Sequence, residues 1–286
     1  MTPLPETVRR GLRELLSFYG DAGVDEPLED APVDRFAEAA ARTARRAAPA
    51  LLESAAPAGR PAGQFLQPPV PAPVQPPAFK AAVPDGTQVK LAAELAAQAS
   101  TLEELAAAMA SFEGCNLRYT AKQLVFADGN PQAALMLVGE APGRDEDLEG
   151  RPFVGRSGQL LDRMLEAIGL DRGSVYIANV IPWRPPGNRA PTPQETEICR
   201  PFVARQIELV GPKLLVTLGG PSTKTLLGLQ EGMLRVRGSW RVYSNRSGRG
   251  IPAMPTLHPA YLLRTPAHKK LAWRDLLEIK AKLRDL

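Results

Sequence analysis

Thiols and imidazoles are scarce in this chain of 286 residues: two cysteines, Cys115 and Cys199, and two histidines, His258 and His268. Two cysteines cannot build a disulfide framework, and they fall short of the four thiolates of a structural zinc or iron–sulfur site. Neither histidine sits in a zinc-binding spacing, so the sequence gives metal catalysis little support. Apolar runs are short as well, and none reaches the ~18 residues that would span a bilayer. The opening MTPLPETVRR has no apolar stretch behind a basic end, which argues against a secretory signal. A cytoplasmic protein with no membrane partner is expected. Phosphate-cradling loops are missing too. Gly139 to Gly143 lacks the G-x-G-x-x-G spacing, and Gly219 to Thr225 has a Lys-Thr pair with no glycine directly before the lysine, so nucleotide hydrolysis is not indicated.

What the chain has in excess is glycine and proline, 24 and 29 residues, nearly a fifth of the total against an average nearer ~12%. Ten of the prolines fall between residues 49 and 84, where PPVPAPVQPP has a composition that cannot bury a core and favours extended polyproline conformations. Residues 49–84 are therefore read as a semi-rigid linker. Ahead of it, residues 1–48 read as a small helical leader: Val8, Leu12, Leu15, Leu16 and Tyr19 recur at helical spacing, and a second short helix fits Pro32 to Arg46. The leader is read as an accessory or docking element with no chemistry of its own, which would either meet a protein partner or shield the basic face. The remaining domain, 85–286, carries the chemistry.

Charge is unevenly distributed. Residues 1–112 hold 10 basic and 14 acidic side chains, whereas 113–286 hold 25 and 17. A basic, arginine-rich globular part is what a polyanion partner requires, because neutralising phosphates releases counterions. A merely solubilising surface has the same composition.

From Ala133 onward short apolar runs alternate with segments of helical period, the pattern of an α/β fold. Strands are expected at Leu135 to Val138, Val175 to Asn179, Leu214 to Leu218 and Ala253 to Leu257, with a ribbon near Trp240 to Tyr243. Together they predict a three-layer α/β/α sandwich around a central, mostly parallel, four-stranded sheet. Thr101-Leu-Glu-Glu104 and Thr192-Pro-Gln-Glu195 have capping-box spacing, so helices should start there, the first of them opening the domain. Further helices fit Gln159 to Ile168 and Leu271 to Leu283.

In parallel α/β sheets, ligands bind beyond the carboxyl ends of the strands. Four segments occupy those places: Gly139-Glu-Ala-Pro-Gly143 with Gly150-Arg-Pro-Phe-Val-Gly155, then Asn179 with Arg184-Pro-Pro-Gly-Asn-Arg189, then Gly219-Gly-Pro-Ser222, and last His258-Pro-Ala-Tyr-Leu-Leu-Arg264. A rigid wall bearing one carboxylate, one phenyl ring, one carboxamide and one imidazole suits a flat, neutral heterocycle. The ring can stack on its face, the amide offers a donor and an acceptor to its edge, and the imidazole can donate to an oxygen that becomes anionic. Each residue also has a plainer reading. Phe153 could be core, Glu140 a helix cap, Asp145 to Asp147 a solvated turn, and Leu262 and Leu263 packing for the last helix. Joint occurrence at all four strand ends favours the functional reading.

GEAPGRDEDLEGRPFVGRSGQLLDRMLEAIGL, the run around WRPPGNR, PTP and CRPF, and HPAYLLR together resemble the uracil-DNA glycosylase superfamily, in particular its family 4, from about Leu117 to the C-terminus. The resemblance implies a monofunctional enzyme that flips uracil out of DNA and hydrolyses its N-glycosidic bond, leaving an abasic site. Glu140 would position the attacking water, with Ala141 and Pro142 bordering the uracil pocket. Phe153 would stack on the base, Asn179 would pair with its edge, and His258 would donate to O2. Leu262 or Leu263 would be the wedge that fills the vacated stack, with Gly220, Ser222, Arg189 and Arg264 against the DNA backbone. Such proteins hold a [4Fe–4S] cluster on four cysteines. Here Cys115 and Cys199 match two of those positions, but Arg118 and Trp183 stand at the others, and two thiolates cannot hold a cubane. The expectation is a monomer without cluster or other cofactor, in which Trp183 plugs the vacated space and Arg118 turns to solvent or an acidic partner. Two rivals remain: a non-catalytic DNA-damage-binding module, and an enzyme of the same fold that prefers hypoxanthine or xanthine.

Overall fold

The structure, a computed structural model, describes residues 86–245, 248 and 250–286. The leader and the proline-rich linker lie outside the described residues. The described residues begin with helix α1 (Gly86–Gln98), followed by α2 (Leu102–Ser111) and the short α3 (Leu117–Thr120). The expectation that the Leu102 helix opens the domain is thus corrected. Helix α1 is built on alanine, with Ala92 and Ala96 fully buried, so it lacks the stripe of large apolar residues that marks an amphipathic helix. Its start was invisible for that reason.

Both predicted helix starts are capped, but only one box closes on itself. Thr101 Oγ1 accepts the Glu104 amide at 3.2 Å, while Glu104 Oε2 reaches past the cap to accept the Ser100 amide at 2.7 Å. At α6 (Pro193–Val210) the box is reciprocal: Thr192 Oγ1 accepts the Glu195 amide and Glu195 Oε2 accepts the Thr192 amide, and Gly211 ends the helix in the left-handed conformation at φ 58°.

Six strands, not four, form the sheet: β1 (Asp128–Gly129), β2 (Leu135–Gly139), β3 (Val175–Asn179), β4 (Leu214–Leu218), β5 (Arg241–Ser244) and β6 (Gly250–Thr256), in the order β1-β3-β2-β4-β6-β5. The inner four are parallel, and the two additions are antiparallel edges. β1 is only two residues long and polar. β5 exposes most of its residues. β5 falls on the ribbon expected near Trp240 to Tyr243, whereas β1 carries no apolar run that would announce a strand.

Alternation along the strands divides the core. Met136, Val138, Tyr176 and Ala178 face a layer with Phe112 and Phe202, under α1, α2 and α6. Leu135, Leu137, Val175 and Ile177 face the other layer, with residues of α5 (Arg156–Glu166) and α10 (Lys269–Arg284). These are the three layers the sequence predicts. The chain leaves β2 toward β3 on one side, while β4 lies on the other, so the carboxyl end of β2 is a switch point where a crevice opens.

Candidate active site

At that switch point, Gly139 ends β2 directly beside Asn179 at the end of β3. The next residues are fixed across the crevice: the amides of Val180 and Ile181 donate to the carbonyls of Gly139 and Glu140 at 3.0 and 2.9 Å. A cleft of about 890 Å³ lies beyond the strand ends, within the ~300–1,000 Å³ typical of small-molecule sites. It is lined by Glu140, Ala141, Pro142, Phe153, Asn179, Gly220, His258 and Arg264, so the four sequence segments converge on one hollow.

Glu140 is partly buried, and desolvation raises its pKa above the ordinary carboxylate value. Among the described residues its carboxylate has neither a hydrogen-bond nor an ion-pair partner. Asn179 is buried, and its Oδ1 is likewise without a partner. An unpaired carboxamide oxygen inside a cleft is costly unless a ligand supplies the donor.

Phe153 adopts φ 56°, a left-handed conformation unusual for a bulky residue. Two features hold it there. Arg172 donates to the Phe153 carbonyl, and to Asp162 through Nε at 2.8 Å. Gly158 has no Cβ, which would otherwise stand 1.7 Å from that carbonyl oxygen. The phenyl ring is thereby turned toward His258, with ring centroids 5.5 Å apart at 31°.

His258 caps helix α9 (Pro259–Arg264): its Nδ1 accepts the Ala260 amide at 3.1 Å. Burial, with a smaller contribution from Arg264, pushes its pKa down to about 4. The imidazole is therefore neutral near pH 7, and since Nδ1 is the acceptor, the proton resides on Nε2. Gly219, at φ 91°, brings the β4 turn against this ring; a Cβ there would meet the histidine's own Cβ at 3.0 Å.

The DNA-contact candidates separate. Leu262 is 1% exposed and belongs to the core layer, whereas Leu263 is 37% exposed. The Ser222 hydroxyl is buried and donates to the carbonyls of Leu218 and Gly219, so it shapes the turn from within. Arg189 lines the cleft but is engaged by both oxygens of Glu195, at 2.9 and 2.6 Å.

Several residues escaped the sequence reading. Glu146, in the stretch read alternatively as a solvated acidic turn, is buried; it accepts the amides of Gly143, Val154 and Gly155, each at 3.0 Å, and so ties together the two loops that carry Glu140 and Phe153. Asp147 is buried as well and accepts the Lys122 amide at 2.8 Å. The Gly-x-x-Glu spacing of a helix start at Gly143 is a signal that could have found Glu146. Arg172 has no such local signature, because its partners lie far away in sequence.

The four-thiolate group implied by the resemblance does not fit the residues present. Cys115 and Cys199 are buried with their sulfurs 3.9 Å apart, and Trp183, 1% exposed, packs in the same core layer. The neighbouring Cys115 sulfur, together with burial, raises the Cys199 thiol well above its ordinary value. Arg118 pairs with Glu113 at 3.5 Å. Among the described residues no cluster of metal-ligating side chains occurs, and no helix is long and apolar enough to cross a membrane.

Comparison with known proteins identifies the family. The family model "Uracil DNA glycosylase superfamily" matches residues 126–277. A type-4 uracil-DNA glycosylase of Sulfurisphaera tokodaii is 40% identical over 185 residues, covering 63% of this chain and 84% of the relative. Its counterpart in Saccharolobus solfataricus is 40% identical over 177 residues, 59% and 80% of the two chains. That of Archaeoglobus fulgidus is 41% identical over 171 residues, 58% and 85%. This chain belongs to the uracil-DNA glycosylase superfamily.

Proposed function

We propose that the chain is a monofunctional uracil-DNA glycosylase, which takes a flipped uracil into the cleft and hydrolyses its N-glycosidic bond, leaving an abasic site. The observation that carries this reading is the orphaned Oδ1 of buried Asn179. Uracil presents an N3–H donor next to the O4 acceptor, which matches an amide's oxygen and NH2. Cytosine presents an acceptor at N3 and a donor at N4, the reverse pattern. A site built to make such bonds rejects the mismatched base, because its buried polar groups would stay unpaired.

Bond breaking moves the N1–C1′ electron pair onto the base, leaving cationic character on the deoxyribose. Neutral His258 donates its Nε2 proton in a hydrogen bond to O2, where negative charge gathers. A positioned donor of this kind is worth about 10²–10³ in rate. Phe153 stacks on the base and fixes its plane. The Glu140 carboxylate stabilises the sugar cation and orients the water whose oxygen bonds to C1′; the water's proton leaves through that carboxylate. Ala141 and Pro142 close the pocket edge. Leu263 is the residue that fills the vacated stack, with Arg264 and the Gly220 turn near the backbone. No step uses a metal or a covalent enzyme intermediate.

The test is release of uracil from an oligonucleotide followed by alkaline cleavage, alongside oligonucleotides carrying hypoxanthine or xanthine. Phe153→Ala and His258→Ala should each lower kcat/KM about a hundredfold or more. Binding of uracil DNA without cleavage would favour a damage-binding module, and preferential cleavage of a purine lesion would overturn the assignment of Asn179.

A further inference from the structure

The segment between helix α7 (Gly220–Leu227) and β5 forms part of the cleft rim but takes no part in the chemistry of the bond. It contains the four-residue helix α8 (Met233–Val236). Val236 is buried and Met233 packs on the core layer below, whereas Leu234 is 55% exposed. Leu234 and Arg235 both line the cleft. An exposed leucine beside an arginine at the mouth of a base-binding cleft is suited to nucleic acid, with the cation on a phosphate and the apolar side chain on a base or sugar.

The segment is anchored far more strongly than a solvated loop needs. Arg237, one residue beyond α8, donates through Nε to Asp275 Oδ2 at 2.9 Å, through Nη2 to Asp275 Oδ1, and to the Leu271 carbonyl at 2.9 Å. Asp275 is 0% exposed and also accepts the Thr256 hydroxyl at 2.6 Å. Gly238, at φ 72°, donates to the Pro255 carbonyl at 3.0 Å, and a Cβ there would stand 2.5 Å from Asp275 Oδ1. The rim segment is thus latched to α10 and to the end of β6, two residues before His258.

We propose that Leu234 and Arg235 form a second DNA-contacting lip that serves duplex substrate: Leu234 covers the base left unpaired opposite the flipped nucleotide, and Arg235 meets a phosphate. The inference rests on the glycosylase reading above. One wedge, Leu263, suffices to fill the stack vacated in a single strand. A second apolar contact is useful only where an opposing strand presents an orphaned base.

The experiment measures kcat/KM on the same uracil sequence as single strand and as duplex, over a salt series, for the full chain and for Leu234→Ala and Arg235→Gln. Leu234→Ala should lower the ratio of duplex to single-strand kcat/KM about tenfold. Arg235→Gln should reduce the slope of log kcat/KM against log salt by about one. Equal loss on both substrates, or an unchanged ratio and slope with excision intact, overturns the lip while leaving the glycosylase reading standing. If the wild-type chain releases no uracil, the glycosylase reading fails instead. The lip then stands or falls on the same salt slope measured by equilibrium binding of a duplex with an abasic site.

Discussion

A Cβ on Gly139 would stand 2.4 Å from Asn179 Oδ1 and 2.6 Å from Phe153 Cζ. The amide proposed to read the base edge and the ring proposed to stack on its face both occupy the space a side chain would need at the end of β2. Gly139→Ala should therefore displace both without touching the reacting bond. Uracil excision is expected to drop about a hundredfold with discrimination against cytosine relaxed, for a stability cost of about 1–3 kcal/mol. Excision kinetics on paired uracil and cytosine oligonucleotides, together with a urea titration, check this. A variant as active and as selective as the parent would show that the two side chains do not share the base.

His258 ties chemistry to stability. The unfolded imidazole takes up its proton near its ordinary ~6.5, the folded one only near about 4. Between these values protons favour the unfolded chain, so the stability contributed by the neutral, capping imidazole is complete above pH ~6.5 and is lost as pH falls toward about 4. His258→Asn retains a side-chain acceptor for the Ala260 amide but does not titrate. The unfolding free energy of the parent relative to this variant should decline steadily from pH 7 to 4.5. A difference independent of pH would mean that the ring is not held neutral.

Arg172 governs Phe153 through the backbone. Its guanidinium holds the carbonyl of a residue in a left-handed conformation, a state that costs of order 1–3 kcal/mol when nothing supports it. Arg172→Ala should raise KM for uracil DNA and weaken inhibition by free uracil, as the stacking ring loses its orientation. Arg172→Lys keeps the charge beside Asp128 and Asp162 but not the planar fork, so it should restore melting temperature more than KM. Equal recovery of both would reduce Arg172 to a structural ion pair.

The legibility of this site in the sequence tracks the reach of each interaction. Strand ends were readable because a buried parallel strand is a short apolar run, and the residues just beyond its carboxyl end must lie in the crevice. Glu140, Phe153, Asn179 and His258 follow those strand ends in the sequence, and all four line the one cleft. Leu262 and Leu263 could not be told apart, since the choice depends on how α9 rotates against α5. Arg189 reads as a DNA contact and Glu195 as a helix cap, and their ion pair emerges only because the loop between them folds back. Arg172 and Asp275 act through partners distant in sequence, and the alanine-built α1 and the two-residue polar β1 lack the periodicity that carries the signal.

By the resemblance, Trp183 falls where a cluster would need a thiolate, and its indole is buried in the layer that holds both cysteines. In that layer it contributes apolar burial. The purified protein should accordingly contain no stoichiometric iron and no broad visible absorption. Trp183→Ala should cost about 3–5 kcal/mol, the usual penalty for emptying a large buried aromatic site. Cys115→Ala and Cys199→Ala should each cost about 1 kcal/mol, the scale of one small apolar group, with uracil excision retained. Were the thiols ligands instead, either alanine variant would release metal and collapse the fold far beyond that figure, while Trp183→Ala would be the milder change. Iron analysis and denaturant titration of the three variants separate the two orders.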